Sequence, residues 1–214
     1  MSAGPRYIVV EGVIGSGKSH LAVALAESMH ARLVKDAAAD NPFLENYYKD
    51  PRNFAFAVQI FYLLNRHRQQ QELAQGDLFS GGVVSDILFA RDRIFAYLSL
   101  NDSELALYEQ LYKTLTRERL PVPDLVVYLQ ASTSVLASRL RRRGLLKEKG
   151  GLSLGVLEEL GKAYNNFFFS YSDSPLLVVN TDDLDLAGNV DDLSDLIGRV
   201  DRARSGVQYY TPKK

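Results

Sequence analysis

The chain has 214 residues, no cysteine, no tryptophan, 12 Tyr and 10 Phe, and a formal charge of −1. That length suits one domain of about 200 residues, and 46% apolar content supplies a core, which excludes wholesale disorder. The absence of cysteine excludes disulfides and thiol chemistry. Short apolar runs, no basic-then-apolar leader and near-neutral charge lead us to expect a cytoplasmic chain with no membrane or nucleic-acid partner.

In chain order, residues 6–11 form a β-branched apolar run that predicts a buried strand, interrupted by Gly12 to Gly17. A helix follows from about Lys18 to Met29, then a short strand near 32–35. Asn41-Pro42 marks a turn, and Pro51 opens a long helix to about Gln75. Its expected apolar stripe is Phe54, Val58, Phe61 and Asn65, with Phe56, Ile60 and Leu63 beside it. Residues 83–86 predict a strand, 89–98 a helix, and 103–119 another helix capped by Asn101 or Asp102. Residues 125–129 read as a strand, 133–143 as a helix and 144–155 as a mobile loop. A helix to about Tyr171, a strand at 176–179 and a helix near 191–202 complete the pattern. Strands alternating with helices indicate an α/β fold with a parallel sheet covered on both faces. No linker divides it, so 1–205 is expected as a single domain and 206–214 as a loose tail whose tyrosines can dock on the body.

Gly12-Val13-Ile14-Gly15-Ser16-Gly17-Lys18-Ser19 satisfies G-x-x-x-x-G-K-[ST], a match that chance would place in such a chain about four times in a thousand. It lies between a strand and a helix, as phosphate binding requires. Glycines let backbone N–H groups turn inward around phosphate oxygens, and the helix N-terminus adds its positive end. Lys18 is then placed to reach the β- and γ-phosphates of a nucleoside triphosphate, and Ser19 to ligate Mg²⁺. Arg139 and Arg143 lie four apart on a helix, so both project from one face. They are candidates to neutralise a transferring phosphoryl group, with a solvated arginine cluster as the equal alternative.

These and further residues together resemble the bacterial deoxynucleoside kinases of the deoxyguanosine/deoxyadenosine kinase type. The likeness is carried in order by 10–19, Asp40-Asn41-Pro42-Phe43-Leu44, Tyr47-Tyr48, 56–66 ahead of Gln69-Gln70, 83–86 through Ile94-Phe95-Ala96, and 120–128. The 139–148 loop, Tyr164 and Phe167 are similar too. The resemblance implies a phosphate-loop kinase fold with a five-stranded parallel sheet and an arginine-bearing lid, and a homodimer. It implies transfer of the γ-phosphoryl of ATP, with Mg²⁺, to the 5′-hydroxyl of a deoxynucleoside (a purine one) in nucleotide salvage. Asp36 falls where the family carries its base, and Asp86 where it carries the Mg²⁺-side carboxylate, although Asp86 also reads as a helix cap. Tyr48 and Glu148 match the pair that holds the sugar 3′-hydroxyl, and Phe56 an aromatic that stacks on the base. Asp92 falls among the substrate-binding positions.

Departures from the family pattern cluster on the acceptor side. Asp36 stands where the family has Glu, and its reach is shorter by about 1.3–1.5 Å, when an error near 1 Å can cost about 10²-fold. Ala57 stands where a Gln is expected, with Gln59 two residues on and so expected on another side of the helix. Leu145 replaces a lid arginine, and Ile87 replaces the Arg or Tyr after the strand carboxylate. Two alternatives follow: a nucleoside monophosphate kinase, or a nucleotide-binding protein that has lost transfer and acts through a partner.

Overall fold

The computed structural model describes residues 7–36, 41–75, 82–117, 120–146 and 152–212. The chain divides into two compact units, 1–35 with 78–87 and 122–214, and 36–77 with 88–121. It passes between them more than once, so no single linker betrays the division in sequence.

The first unit is a parallel sheet of β1 (Tyr7–Gly12), β2 (Arg32–Val34), β3 (Val83–Ser85), β4 (Leu125–Gln130), β5 (Leu176–Asn180) and β6 (Val207–Tyr210), in the order β2-β3-β1-β4-β5-β6. β1 is buried along its whole length because it is central, with Ile8 in register with Val84 on one side and Leu125 on the other. Helices α1 (Lys18–Met29) and α8 (Val190–Arg202) contribute Leu21, Leu25, Leu196 and Val200 to a core with Ile8, Val10, Val127 and Leu129. The alternate β4 residue Tyr128 stacks on Phe168 of α7 (Leu154–Phe169), ring centroids 4.2 Å apart, with Tyr164 beside them. α6 (Thr133–Arg142) packs beside α7.

The sheet has six strands where five were expected, and β6 occupies residues assigned to the loose tail. Gly206, at φ +64°, turns the chain, and the β-favouring Val-Gln-Tyr-Tyr run then pairs with β5. The Tyr210 hydroxyl donates to the Asp195 carboxylate, and the Arg199 guanidinium lies 4.8 Å from the centre of its ring. These contacts fasten the strand to α8.

The second unit holds α2 (Leu44–Lys49), α3 (Pro51–Gln75), a 3₁₀ turn (Phe89–Arg91), α4 (Asp92–Ser99) and α5 (Asp102–Leu115). Its core is Leu63, Phe89, Ala96 and Tyr108, with Phe56, Ile60, Leu111 and Leu115 against it. α2 was not foreseen, and the expected 89–98 helix is divided into the turn and α4. Asn101 closes a capping box: its Oδ1 accepts from the N–H groups of Ser103 and Glu104 (3.1 and 3.0 Å), while Glu104 Oε2 accepts from the Asn101 N–H at 3.1 Å. Asn101→Ala is therefore expected to lower unfolding stability by about 1 kcal/mol, read from urea denaturation with an unchanged slope.

Candidate functional site

In the first unit the phosphate loop leaves β1 at Gly12 and enters α1 at Gly17. A Cβ at Gly12 would collide with the Ser16 side chain and lie 2.7 Å from the Leu129 carbonyl oxygen. Gly17 sits at φ +101° and supplies no capping side chain, and no acidic residue occupies the first turn of α1. The positive end of that helix therefore has no local side-chain compensation. The Ser16 N–H donates to the Val13 carbonyl (3.0 Å), closing the turn, and its buried Oγ has no hydrogen-bond partner. These features fit a triphosphate, with backbone donors and an orphaned hydroxyl around a cradle that tolerates no side chain.

Lys18 and Ser19 open α1, Lys18 half-buried and Ser19 exposed. Asp86 is buried at the C-terminal end of β3, next to β1, and its N–H donates to the Val34 carbonyl (3.2 Å). Strand C-terminal ends are where parallel sheets present ligands. Among the described residues no cluster of three or more Asp, Glu, His or Cys could hold a metal. Mg²⁺ prefers one or two protein oxygens completed by phosphate and water, and Ser19 with Asp86 fits that donor set.

Beside the loop lies a cavity of about 350 Å³, lined by Gly15, Ser16, Gly17, His20, Arg139, Arg142, Arg143 and the 184–188 segment. Arg139 and Arg143 both line it, but their guanidiniums serve different ends. Arg139 Nη2 donates to the carbonyls of Thr181 (2.5 Å) and Leu184 (2.8 Å), and Nη1 to Thr181 Oγ1 (3.3 Å) and the Gly15 carbonyl (3.4 Å). It ties the phosphate loop to the segment after β5, whereas Arg142 and Arg143 remain exposed at the cavity wall. Helical spacing correctly implied a shared face, but carbonyls at the end of a strand captured one of the two side chains.

In the second unit, Asp36 anchors a charged network. Asp36 Oδ2 accepts from Arg66 Nη2 (2.8 Å) and Arg91 Nη2 (3.0 Å), and Oδ1 from Arg66 Nε at 3.4 Å. Arg66 also donates to Asp92, which is fully buried and accepts from the Tyr108 hydroxyl at 2.9 Å. Burial pushes the Asp36 carboxyl up, but the guanidiniums of Arg66 and Arg91 outweigh it and hold the group below the usual carboxylate value. Its ionised form therefore stabilises the fold at neutral pH, and that contribution fades as pH falls through the depressed value. Burial pushes the Tyr108 hydroxyl up, so it stays a proton donor to Asp92.

Asp92 thus sits within the Asp36 network. Tyr48, on α2, is 64% exposed with its ring 5.9 Å from that of Tyr47. Phe56 is half-buried and packs against the core of its unit. Glu148 lies outside the described residues. Four residues of this unit escaped the sequence reading as site residues: Arg66, Arg91, Tyr108 and Gln59. Gln59 is buried on the same side of α3 as Leu63 and Arg66, and its Oε1 has no hydrogen-bond partner. Ala57, where the family pattern leads one to expect a Gln, is half-buried. Two charged or amide residues seven apart on one helix share a face, and that spacing of Gln59 and Arg66 was the available signal.

A family model described as deoxynucleoside kinase matches residues 8–203. The chain is 31% identical over 159 residues to a deoxyguanosine kinase of Bacillus subtilis, covering 74% of this chain and 76% of that one. A deoxyadenosine/deoxycytidine kinase of the same organism is 26% identical over 200 residues, covering 90% of each. In fold, the chain is similar to a deoxyadenosine kinase from M. mycoides solved with bound products (TM-score 0.76, 24% identity, 91% of this chain and 98% of that one). The chain belongs to the deoxynucleoside kinase family.

Proposed function

We propose that this chain transfers the γ-phosphoryl group of ATP to the 5′-hydroxyl of a deoxynucleoside, a purine one, in nucleotide salvage. The observation that carries the reading is the Asp36 network. Among the described residues it is a carboxylate held ionised by two arginines and balanced by a second carboxylate, and these four groups sum to zero charge. Such a network suits an uncharged hydroxyl acceptor, because an acceptor that brought its own phosphate would call for surplus cations. The phosphate loop of the other unit supplies the second requirement, a seat for the triphosphate.

The acceptor oxygen forms its bond to the γ-phosphorus, the bond to the oxygen bridging the β- and γ-phosphates breaks, and ADP leaves. Asp36 takes the hydroxyl proton. A depressed proton affinity suits it, because the transition state of phosphoryl transfer is loose and the proton moves late, so orientation outweighs base strength. Lys18 meets the β- and γ-phosphates, with Arg143 at the cavity wall neutralising growing charge. Ser19 and Asp86 would hold Mg²⁺, which would supply positive charge against the phosphate oxygens. Tyr48 and Glu148 take the sugar hydroxyl, Phe56 lies on the base, and Gln59 with Asp92 and Arg66 reads its edge. A homodimer in the cytoplasm completes the reading.

Gln59→Leu is expected to narrow the kcat/KM ratio between best and worst deoxynucleoside by about tenfold or more, since an amide–base pair carries about 1–3 kcal/mol of discrimination. The reading itself is tested by offering deoxynucleosides and their 5′-monophosphates as competing acceptors with ATP. Consumption of a deoxynucleoside supports it. Exclusive consumption of a monophosphate would make the protein a nucleoside monophosphate kinase, and consumption of neither, by folded ATP-binding protein, would leave a binding protein.

A further inference from the structure

Residue 87, which follows the β3 carboxylate Asp86, is Ile and is buried, so that position brings no cation to the acceptor side. A guanidinium is present nonetheless, four residues later. Arg91 ends the 3₁₀ turn, is buried, and places Nη2 3.0 Å from Asp36 Oδ2. Its Cζ lies 5.6 Å from the centre of the Phe95 ring on α4, which limits where the side chain can go. Arg66 holds the same carboxylate from α3, but it also serves Asp92. The two arginines reach Asp36 from different elements and so restrict its carboxylate in two directions.

We propose that Arg91 is the positioning residue that orients Asp36 toward the acceptor hydroxyl, taking over from residue 87. This rests on the kinase reading above. A fork with fixed geometry orients a carboxylate where a point charge would only attract.

Among the described residues, the ionisable groups that face Asp36 besides Arg91 include Arg66 and, by its charge, Tyr62, with Asp92 reached through Arg66. None of them is changed by Arg91→Ala. In that variant kcat with the deoxynucleoside falls about 10²-fold, the cost of a carboxylate misplaced by about 1 Å. ATP affinity measured without acceptor does not change. The Asp36 carboxyl, followed by ¹³C NMR, titrates higher than in the parent, and the acid limb of kcat moves with it. Arg91→Lys keeps the titration near that of the parent while recovering only part of kcat, and added guanidinium ion restores turnover to Arg91→Ala. If Arg91→Ala fails to fold, Arg91→Lys decides alone: full kcat would overturn the proposal, and reduced kcat at an unmoved carboxyl titration would support it. A kcat within about twofold of the parent in Arg91→Ala, with the Asp36 titration unmoved, would also overturn it. If the parent protein phosphorylates no acceptor, the kinase reading fails, while the carboxyl titration still decides whether Arg91 holds Asp36.

Discussion

Asp36→Glu is expected to lower turnover by about 10²-fold, although it restores the residue the family pattern leads one to expect. The added methylene extends the side chain by about 1.5 Å. The Asp36 carboxylate already sits 2.8 Å from Arg66 and 3.0 Å from Arg91, so a longer side chain must drive into these groups or bend away from them. Arg66 cannot retreat, because it is also paired with fully buried Asp92, which the Tyr108 hydroxyl holds in turn. Moving a buried, paired charge costs far more than moving a surface one. The site is therefore built around the shorter acid rather than damaged by it. Steady-state kcat of Asp36→Glu at saturating ATP and acceptor checks this. A large gain would mean that Asp36 is an impaired base and that the arginines do not fit it.

Gly12→Ala is the second large effect, with ATP affinity expected to fall by about 10²-fold or more. At this position the backbone passes so close to Ser16 and to the Leu129 carbonyl that a methyl group has no room. One of these obstacles is backbone of the central sheet, in register with β1, and it cannot yield as a side-chain tip would. Relief must come from the loop, whose backbone donors then turn away from the phosphate oxygens. Equilibrium binding of a fluorescent ATP analogue, with circular dichroism to verify the fold, measures the loss. Affinity within about twofold of the parent would show that the loop does not depend on this close approach.

The parts of the fold that could be read from sequence are those with a local signal. β1, β4 and β5 are short, almost wholly apolar runs of Val, Ile, Leu and Tyr because both faces of a central parallel strand are buried, and the phosphate loop carries its chemistry within eight consecutive positions. β6 was hidden because three of its four residues are exposed, so burial left no pattern to distinguish it from a tail. The buried face of α3 was misplaced for a related reason. Val58 of the expected stripe and Leu63 beside it are buried, but so are Gln59, Arg66 and Gln70, which a search for apolar residues passes over, while Phe54, Phe61 and Asn65 of that stripe are only half-buried. The acceptor network was the least legible feature. Asp36 lies 30 residues from Arg66 and 55 from Arg91, and no spacing rule links positions so far apart. Ile87 was readable as a missing cation, but only the packed second unit shows where the replacement stands.

The central claim is that the triphosphate seat and the Asp36 network serve one transfer to a nucleoside hydroxyl. Incubation of the protein with Mg²⁺, ATP labelled with ¹⁸O on its γ-phosphoryl oxygens and a mixture of the common deoxynucleosides, followed by mass spectrometry and ³¹P NMR of the products, tests it directly. The account predicts ADP and a labelled purine deoxynucleoside monophosphate, esterified at the 5′-oxygen, with Asp36→Asn forming far less of it. ATP binding without any labelled nucleoside product, or a product yield that Asp36→Asn leaves intact, would contradict it.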